Sequence, residues 1–207
     1  FFFKQKTAYE IKECDWNSDV CSSDLGAVLG WEWAHGTPAP WLLQYIQDKD
    51  LWNWELPGSR EINAAIASYP FDFQRWSGFQ QQDLEQEGRA ILRYEQELVG
   101  KLAAQAMMVE FQNALIPAVQ SAILTSQIGE RLSADHPFCL IWHDRDNRRY
   151  FSMRSREDGT DVGSIAASFG GGGHTHAAGF SVPLNADGSL PTNPDLPRPI
   201  MDRRRAP

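Results

Sequence analysis

The sequence predicts an α/β protein, and three observations predict it. Between residues 115 and 183, short apolar segments of strand length alternate with helical ones, the pattern of a small α/β domain. A long amphipathic helix precedes them. Ahead of that helix, residues 26–76 hold Trp31, Trp33, Trp41, Trp52, Trp54 and Trp76 of the 8 tryptophans, enough large rings to require a packed core or a stacking site of their own. The expected organisation is two lobes with a connector helix between them.

Composition narrows the class. With 207 residues, 42% hydrophobic and 22% charged, the chain has the balance of a globular protein, which excludes collagen-like and wholly disordered readings. The richest apolar windows are broken by Gln, Glu or Pro well short of the roughly 20 residues a membrane helix needs, so no membrane association is expected. Lys+Arg 19 against Asp+Glu 27 gives a formal charge of -8, which leaves no sequence-wide basic field for a long nucleic acid. Any nucleotide ligand is therefore expected to be short. Cys14, Cys21 and Cys139 form neither a paired framework nor a zinc spacing, which points to a reducing, cytoplasmic compartment.

In chain order, residues 1–25 show no helical or strand period and lack the apolar run of a signal peptide. They resemble translated sequencing-adaptor read-through, and on that resemblance they are an artefactual, non-native segment, with the native protein beginning near Gly26. Residues 26–33 read as a helix end, broken by Pro38 and Pro40, and a new apolar segment at 41–46 runs into Asp48-Lys49-Asp50. Residues 84–109 are the strongest helix: Leu84, Ile91 and Leu98 recur every seven positions, while Val99, Leu102 and Ala106 widen the stripe. Glu85/Arg89 and Glu97/Lys101 are i,i+4 pairs on the wet face. Residues 115–120 read as a strand, 121–134 as a helix, and 138–143 as a buried strand. Residues 149–154 form its hairpin partner across Asp144-Arg145-Asp146-Asn147, followed by a helix at 162–168 and a strand at 179–183. After 184 the chain turns to Pro, Asn, Asp and Gly and ends near Arg203-Arg204-Arg205, so 185–207 is expected to be a disordered tail.

The stretch richest in chemistry is Gly170 to Gly173 followed by His174-Thr175-His176-Ala177-Ala178-Gly179-Phe180. Each glycine costs roughly 0.5–1 kcal/mol relative to Ala in ordered structure, so four in a row mark a sharp turn, a close approach or a flexible linker. Apolar residues lead in and out directly, unlike a tether. Exposed N–H groups of Gly171, Gly172 and Gly173, with a helix N-terminus after them, suit an anion, with phosphate the expected one. Neither the Walker loop nor the spaced dinucleotide fingerprint is present. His174 and His176 at i,i+2 would share one face of a strand. They lack the further ligands of a metal site, and a histidine beside the glycines more naturally meets a phosphate. In 150–155, Ser152 and Arg154 point one way while Phe151 and Met153 face the core, an arrangement suited to bidentate phosphate binding or, on period alone, to a solvated edge strand. Asp48 and Asp50 follow an apolar run, where a carboxylate can reach a divalent cation, but by spacing alone they read as a solvated turn.

Gly171-Gly172-Gly173-His174 with Ala177-Ala178-Gly179-Phe180, preceded by Phe151-Ser152-Met153-Arg154-Ser155 and Asp161-Val162, resembles the C-terminal associated domain of the DHH phosphoesterase superfamily. Tyr45-Ile46-Gln47-Asp48-Lys49-Asp50-Leu51-Trp52, with Gly26-Ala27-Val28 before it, looks like the end of the catalytic lobe in the oligoribonuclease and cyclic-nucleotide phosphodiesterase-like branch. The resemblance covers about 26–184. It implies a C-terminal remnant of the catalytic lobe at 26–82, a connector helix at 83–113 and a DHH-associated substrate-binding domain at 114–184. It also implies a manganese-dependent enzyme acting on a short oligonucleotide or small nucleotide phosphoester, with Asp48 as a metal ligand and Ser152, Arg154, Gly171, Gly172, Gly173 and His174 as the substrate-phosphate cradle. The family's Asp-His-His triplet and earlier Asp-x-Asp pair are not in this sequence, so no complete catalytic site is expected in the chain and manganese is not expected to bind it. The same glycine-histidine module occurs in the C-terminal part of alanyl-tRNA synthetases, where it contacts RNA, which leaves a non-catalytic RNA-binding module as the alternative.

Overall fold

The computed structural model describes residues 26–199, and the adaptor-like segment and the triple arginine lie outside them. The chain divides after Tyr94 into two compact units.

The first unit is helical. Helix α1 spans Gly26–His35, α2 Trp41–Asp50, α3 Ser59–Ser68 and α4 Phe73–Trp76. Helix α5, Gln81–Ala103, begins in this unit and ends in the second. Tyr45, Ile62, Ala65, Ile66 and Leu84 form the core, with Trp41, Leu42, Ile46, Leu56, Tyr69, Trp76, Phe79 and Ile91 packed around it. Helix α3 was not anticipated, although Ile62, Ala65 and Ile66 follow the 3.6-residue period, because its buried face also holds polar Ser59 and Asn63 and small Ala64 and Ala65, which dilute the apolar signal. Its closeness to α5 is why Gly88 lacks a side chain: a Cβ there would lie 1.7 Å from the Glu61 carbonyl oxygen.

The second unit is a mixed sheet with helices on both faces, an α/β fold. Strands β1 (Met107–Phe111), β2 (Ala114–Gln120), β3 (Cys139–Arg145), β4 (Arg148–Arg154), β5 (Gly172–His174), β6 (Ala177–Pro183) and β7 (Arg198–Pro199) lie in the order β5-β6-β4-β3-β2-β1-β7. Only β2 and β3 run parallel, joined by helix α6, Thr125–Ser133. Helix α7, Val162–Ser168, joins β4 to β5. On the α7 face, Phe111, Phe138, Leu140, Phe151, Met153, Val162, Ala166 and Phe180 make the larger core. The opposite face is sealed over β2 and β3 by Val99 of α5 and Ile128 of α6, packed on Val119, Cys139 and Ile141.

Three expectations are corrected. The long helix stops at Ala103, where Gln105 and Ala106 N–H groups turn back tightly to Leu102 and Ala103, and residues 107–111, expected in the connector, form β1. From Met107 the burial period drops to two, with Val109 and Phe111 inward. The disordered tail does not begin at 185: Leu196 is buried in the larger core, Asn185 Nδ2 donates to the Leu190 carbonyl, and β7 pairs with β1. Finally, a strand, β5, begins within the glycine run and ends at His174, where a helix N-terminus was expected.

Candidate functional site

Directly paired residues in adjacent strands share a face, so the register sorts the candidate residues. Arg154 pairs with Ala177, which pairs with His174, and Ser152 pairs with Gly179, which pairs with Gly172. Ser152, Arg154, His174 and Gly172 therefore lie on the α6 face. Phe151 and Met153 occupy the other, as the alternation predicted.

Arg154 is half-buried. Its Nη1 donates to the Met153 carbonyl at 2.8 Å and its Nη2 reaches the Ser126 hydroxyl at 3.3 Å. No carboxylate pairs with it among the described residues. Burial lowers its pKa from the ordinary arginine value, the direction expected when a cation loses hydration. Its methylenes lie along Gly129 of α6, where a Cβ would come within 2.3 Å of Cγ, so that glycine holds the helix close over the side chain. Ser126 was missed by sequence reasoning. It stands 28 residues away, and no local pattern records that α6 folds over β4.

The glycines divide in role. Gly170, at φ +74°, ends α7 in a left-handed turn: its N–H donates to Ala167 O and that of Gly171 to Ala166 O, the two bonds of a Schellman cap. The Gly171 N–H is therefore occupied, which corrects its expected place in a phosphate cradle. Gly171 instead permits packing, because a Cβ would lie 2.2 Å from Gly179 O. Gly173, at φ +142°, has a similar constraint, 2.5 Å from Ala177 O. Gly172 meets nothing within 4 Å of the Cβ position and leaves open space on this face, whereas a Cβ at its partner Gly179 would lie 2.6 Å from Phe151 O, so Gly179 is a packing glycine.

His174 and His176 do not form a pair on one strand. His174 ends β5 and is exposed, whereas His176 lies in the turn to β6. His176 Nδ1 is 3.0 Å from Ser155 Oγ. The Ser155 hydroxyl spends its one hydrogen on Thr160 O at 2.7 Å, so His176 Nδ1 must be the donor in the first contact. His176 is a pin for the turn.

Asp48 lies near the end of α2, 6% exposed. Oδ1 accepts the Glu55 N–H at 3.0 Å and Oδ2 the Leu56 N–H at 3.3 Å. The loop so held carries Trp52 and Trp54 at φ 62° and 58°, a backbone state that needs such anchoring. Manganese requires several donors converging on one point. Among the described residues no group of three or more His, Cys, Asp or Glu is placed to hold a metal, so they do not fit a manganese centre, and Asp48 stands alone as the expected ligand.

No family model matches the chain. An uncharacterized protein of Acanthamoeba polyphaga mimivirus is 29% identical over 176 residues, 78% of this chain and 42% of that protein, so the chain spans less than half of its curated relative's length. Among solved structures, the pGpG-specific phosphodiesterase PggH from Vibrio cholerae is similar with TM-score 0.40 and 12% identity, over 75% of this chain and 67% of its own. An uncharacterized protein from Helicobacter pylori has TM-score 0.31 and 15% identity, over 67% of this chain and 43% of its own. At these values the reading of the site rests on its own residues.

Proposed function

We propose that the second unit is the substrate-holding part of a phosphodiesterase that acts on short oligonucleotides or small nucleotide phosphoesters, the reading the DHH-like motifs imply. The observation that carries it is Arg154. A half-buried guanidinium without a carboxylate partner among the described residues has unspent capacity for two parallel hydrogen bonds to an anion, and phosphate geometry matches that fork. The Ser152 hydroxyl, the open position at Gly172 and the exposed His174 share its face. Arg154 and His174 stand two strand spacings apart, about 10 Å, so a phosphate between them is within reach of both long side chains. On this reading the metal ions that activate water belong to residues outside 26–199. Residues 26–199 bind the phosphoester and do not by themselves cleave it.

Titration of a nucleoside monophosphate into the isotope-labelled full chain tests this. Backbone amides of Ser152, Arg154, Gly172 and His174 should shift, and Arg154→Ala should abolish most of the response while leaving the remaining amide spectrum in place. Arg154→Lys, which keeps the charge but loses the fork, should bind more weakly than wild type. Shifts confined to 203–205 would overturn the assignment.

A further inference from the structure

We propose that the Arg154 face continues toward the β3–β4 hairpin as a track for a single-stranded oligonucleotide of about three nucleotides, with Tyr150 and His143 as its base-stacking step and Arg148 and Arg145 as its far phosphate contact. The inference rests on the phosphate reading of Arg154 and extends it to substrate length.

The register builds the track in rows. After Arg154 with His174 comes Ser152 with Gly179 and Gly172. Next is Tyr150 with His143 and Ser181, and last is Arg148 with Arg145. Same-face rows recur every two residues, about 7 Å, so the strip is about 20 Å long, on the scale of a few extended nucleotides. In the third row the Tyr150 and His143 rings stack with centroids 5.4 Å apart and planes 11° from parallel. The neighbour of Tyr150 on β6 is Ser181, too small to cover the ring, and the Arg145 guanidinium lies 5.2 Å from its centroid. A base added to this stack needs no sequence-specific contact.

Charge selects the occupant. The chain is -8 overall, yet every ionisable side chain in the paired rows of this face on β3, β4, β5 and β6 is Arg, His, Tyr or Cys. The one carboxylate within those strands, Asp144, belongs to the opposite face, where it binds Arg149 at 2.7 Å. Arg148 donates to the Ser181 hydroxyl and carbonyl at 3.0 Å, and no carboxylate pairs with it among the described residues. Arg145 contacts Asp146 of the turn at 3.4 Å with both side chains mostly exposed, an ion pair weak enough for a phosphate to replace. Cations at both ends and rings between them match alternating phosphates and bases.

The test is fluorescence anisotropy on the full chain with labelled, 5′-phosphorylated oligoadenylates of one to four nucleotides. Affinity should tighten about tenfold or more from one to three nucleotides, the effect of about one stacked base, and then level off. Tyr150→Ala should remove that gain. Ser181→Tyr, which fills the stacking position, should do the same and guards against misfolding of the first variant, whereas Ser181→Ala, which takes only the hydroxyl acceptor from Arg148, should keep the gain. Arg145→Gln with Arg148→Gln should flatten the salt dependence of trinucleotide binding by about 0.7 per arginine in the log–log slope, and that of the mononucleotide hardly at all. A mononucleotide bound through Arg154 with no gain in length, or a gain that survives both Tyr150→Ala and Ser181→Tyr, would overturn the track while the phosphate site stands. Absence of binding at every length would instead remove the phosphate reading.

Discussion

The two faces of the seven-stranded sheet are built from the same strands and end in opposite states. On the α7 face, Phe180 stacks with Phe169 at 4.5 Å, meets the tilted Phe151 ring at 4.9 Å, and Phe111 closes the cluster at 6.1 Å. On the other face, α6 and the end of α5 cover β2 and β3, while β4, β6 and β5 present Ser152, two glycines, Ser181 and two guanidinium groups. The first arrangement buries apolar area and stabilises the fold. The second leaves polar capacity unsatisfied, which is of little use to stability and fits a ligand surface.

Substitutions can break this contrast. The largest effect is expected from Phe180→Ala, which removes a 4%-exposed ring and should cost about 3–5 kcal/mol in urea unfolding. Ser152→Ala on the open face should stay within about 0.5 kcal/mol. Equal losses would end the distinction. Next comes Gly171→Ala, expected to destabilise by about 1–3 kcal/mol because its methyl group meets Gly179 O at 2.2 Å. An unchanged midpoint with lost nucleotide binding would return Gly171 to the ligand site.

The covered part of the α6 face has a chemical signature. Burial pushes the Cys139 thiol up from 9.0 to about 12. The folded state therefore keeps its proton where the unfolded state loses it, so this contribution to stability is complete below pH 9 and falls as pH rises toward 12. Peptide-mapped alkylation at pH 8 should leave Cys139 unmodified in the native protein and modify it in urea. Rapid native labelling would show that α6 does not seal this region. The smallest effect is expected at Asp161, whose carboxylate caps α7 through the Ser164 hydroxyl and N–H, bonds that hold its pKa below the usual range. A lowered pKa means the cap is intact above the unfolded carboxylate's value and fades as pH falls through the folded one. Amide exchange at the start of α7 should speed up selectively in acid, and an Asp161→Asn variant should lose that pH dependence.

Local pattern carried much of this fold. Helix α7 forms at 162–168 as read, since Asp161 caps it and the glycines end it within ten residues. The β3–β4 hairpin was legible because its alternation and its Asp146-Asn147 turn, at φ 52° and 56°, are neighbours in sequence. Strand β1 was hidden because apolar Ala106 and Val109 also continue the helical stripe of α5, and the period changes only where the chain meets β2. Strand β7 is invisible to pattern reading: its pairing with Val109 and Glu110 is made by backbone across nearly ninety residues, in a segment whose composition signals disorder.

Local pattern was enough for the fold class, the inward positions of Phe151 and Met153, and the chemical types available to a ligand: Ser152, Arg154, the glycines and His174. It sufficed because side-chain alternation and helix capping are set within a few residues. Which of those groups meet was settled by long-range packing. It spent the Gly171 N–H on a helix cap, turned His176 to Ser155, engaged Asp48 with the N–H groups of Glu55 and Leu56, and left Arg154 beneath α6 with Ser126 and, among the described residues, no carboxylate. Hydrogen-bonding capacity is local to a residue, but whether it is consumed depends on what the chain brings back from far away.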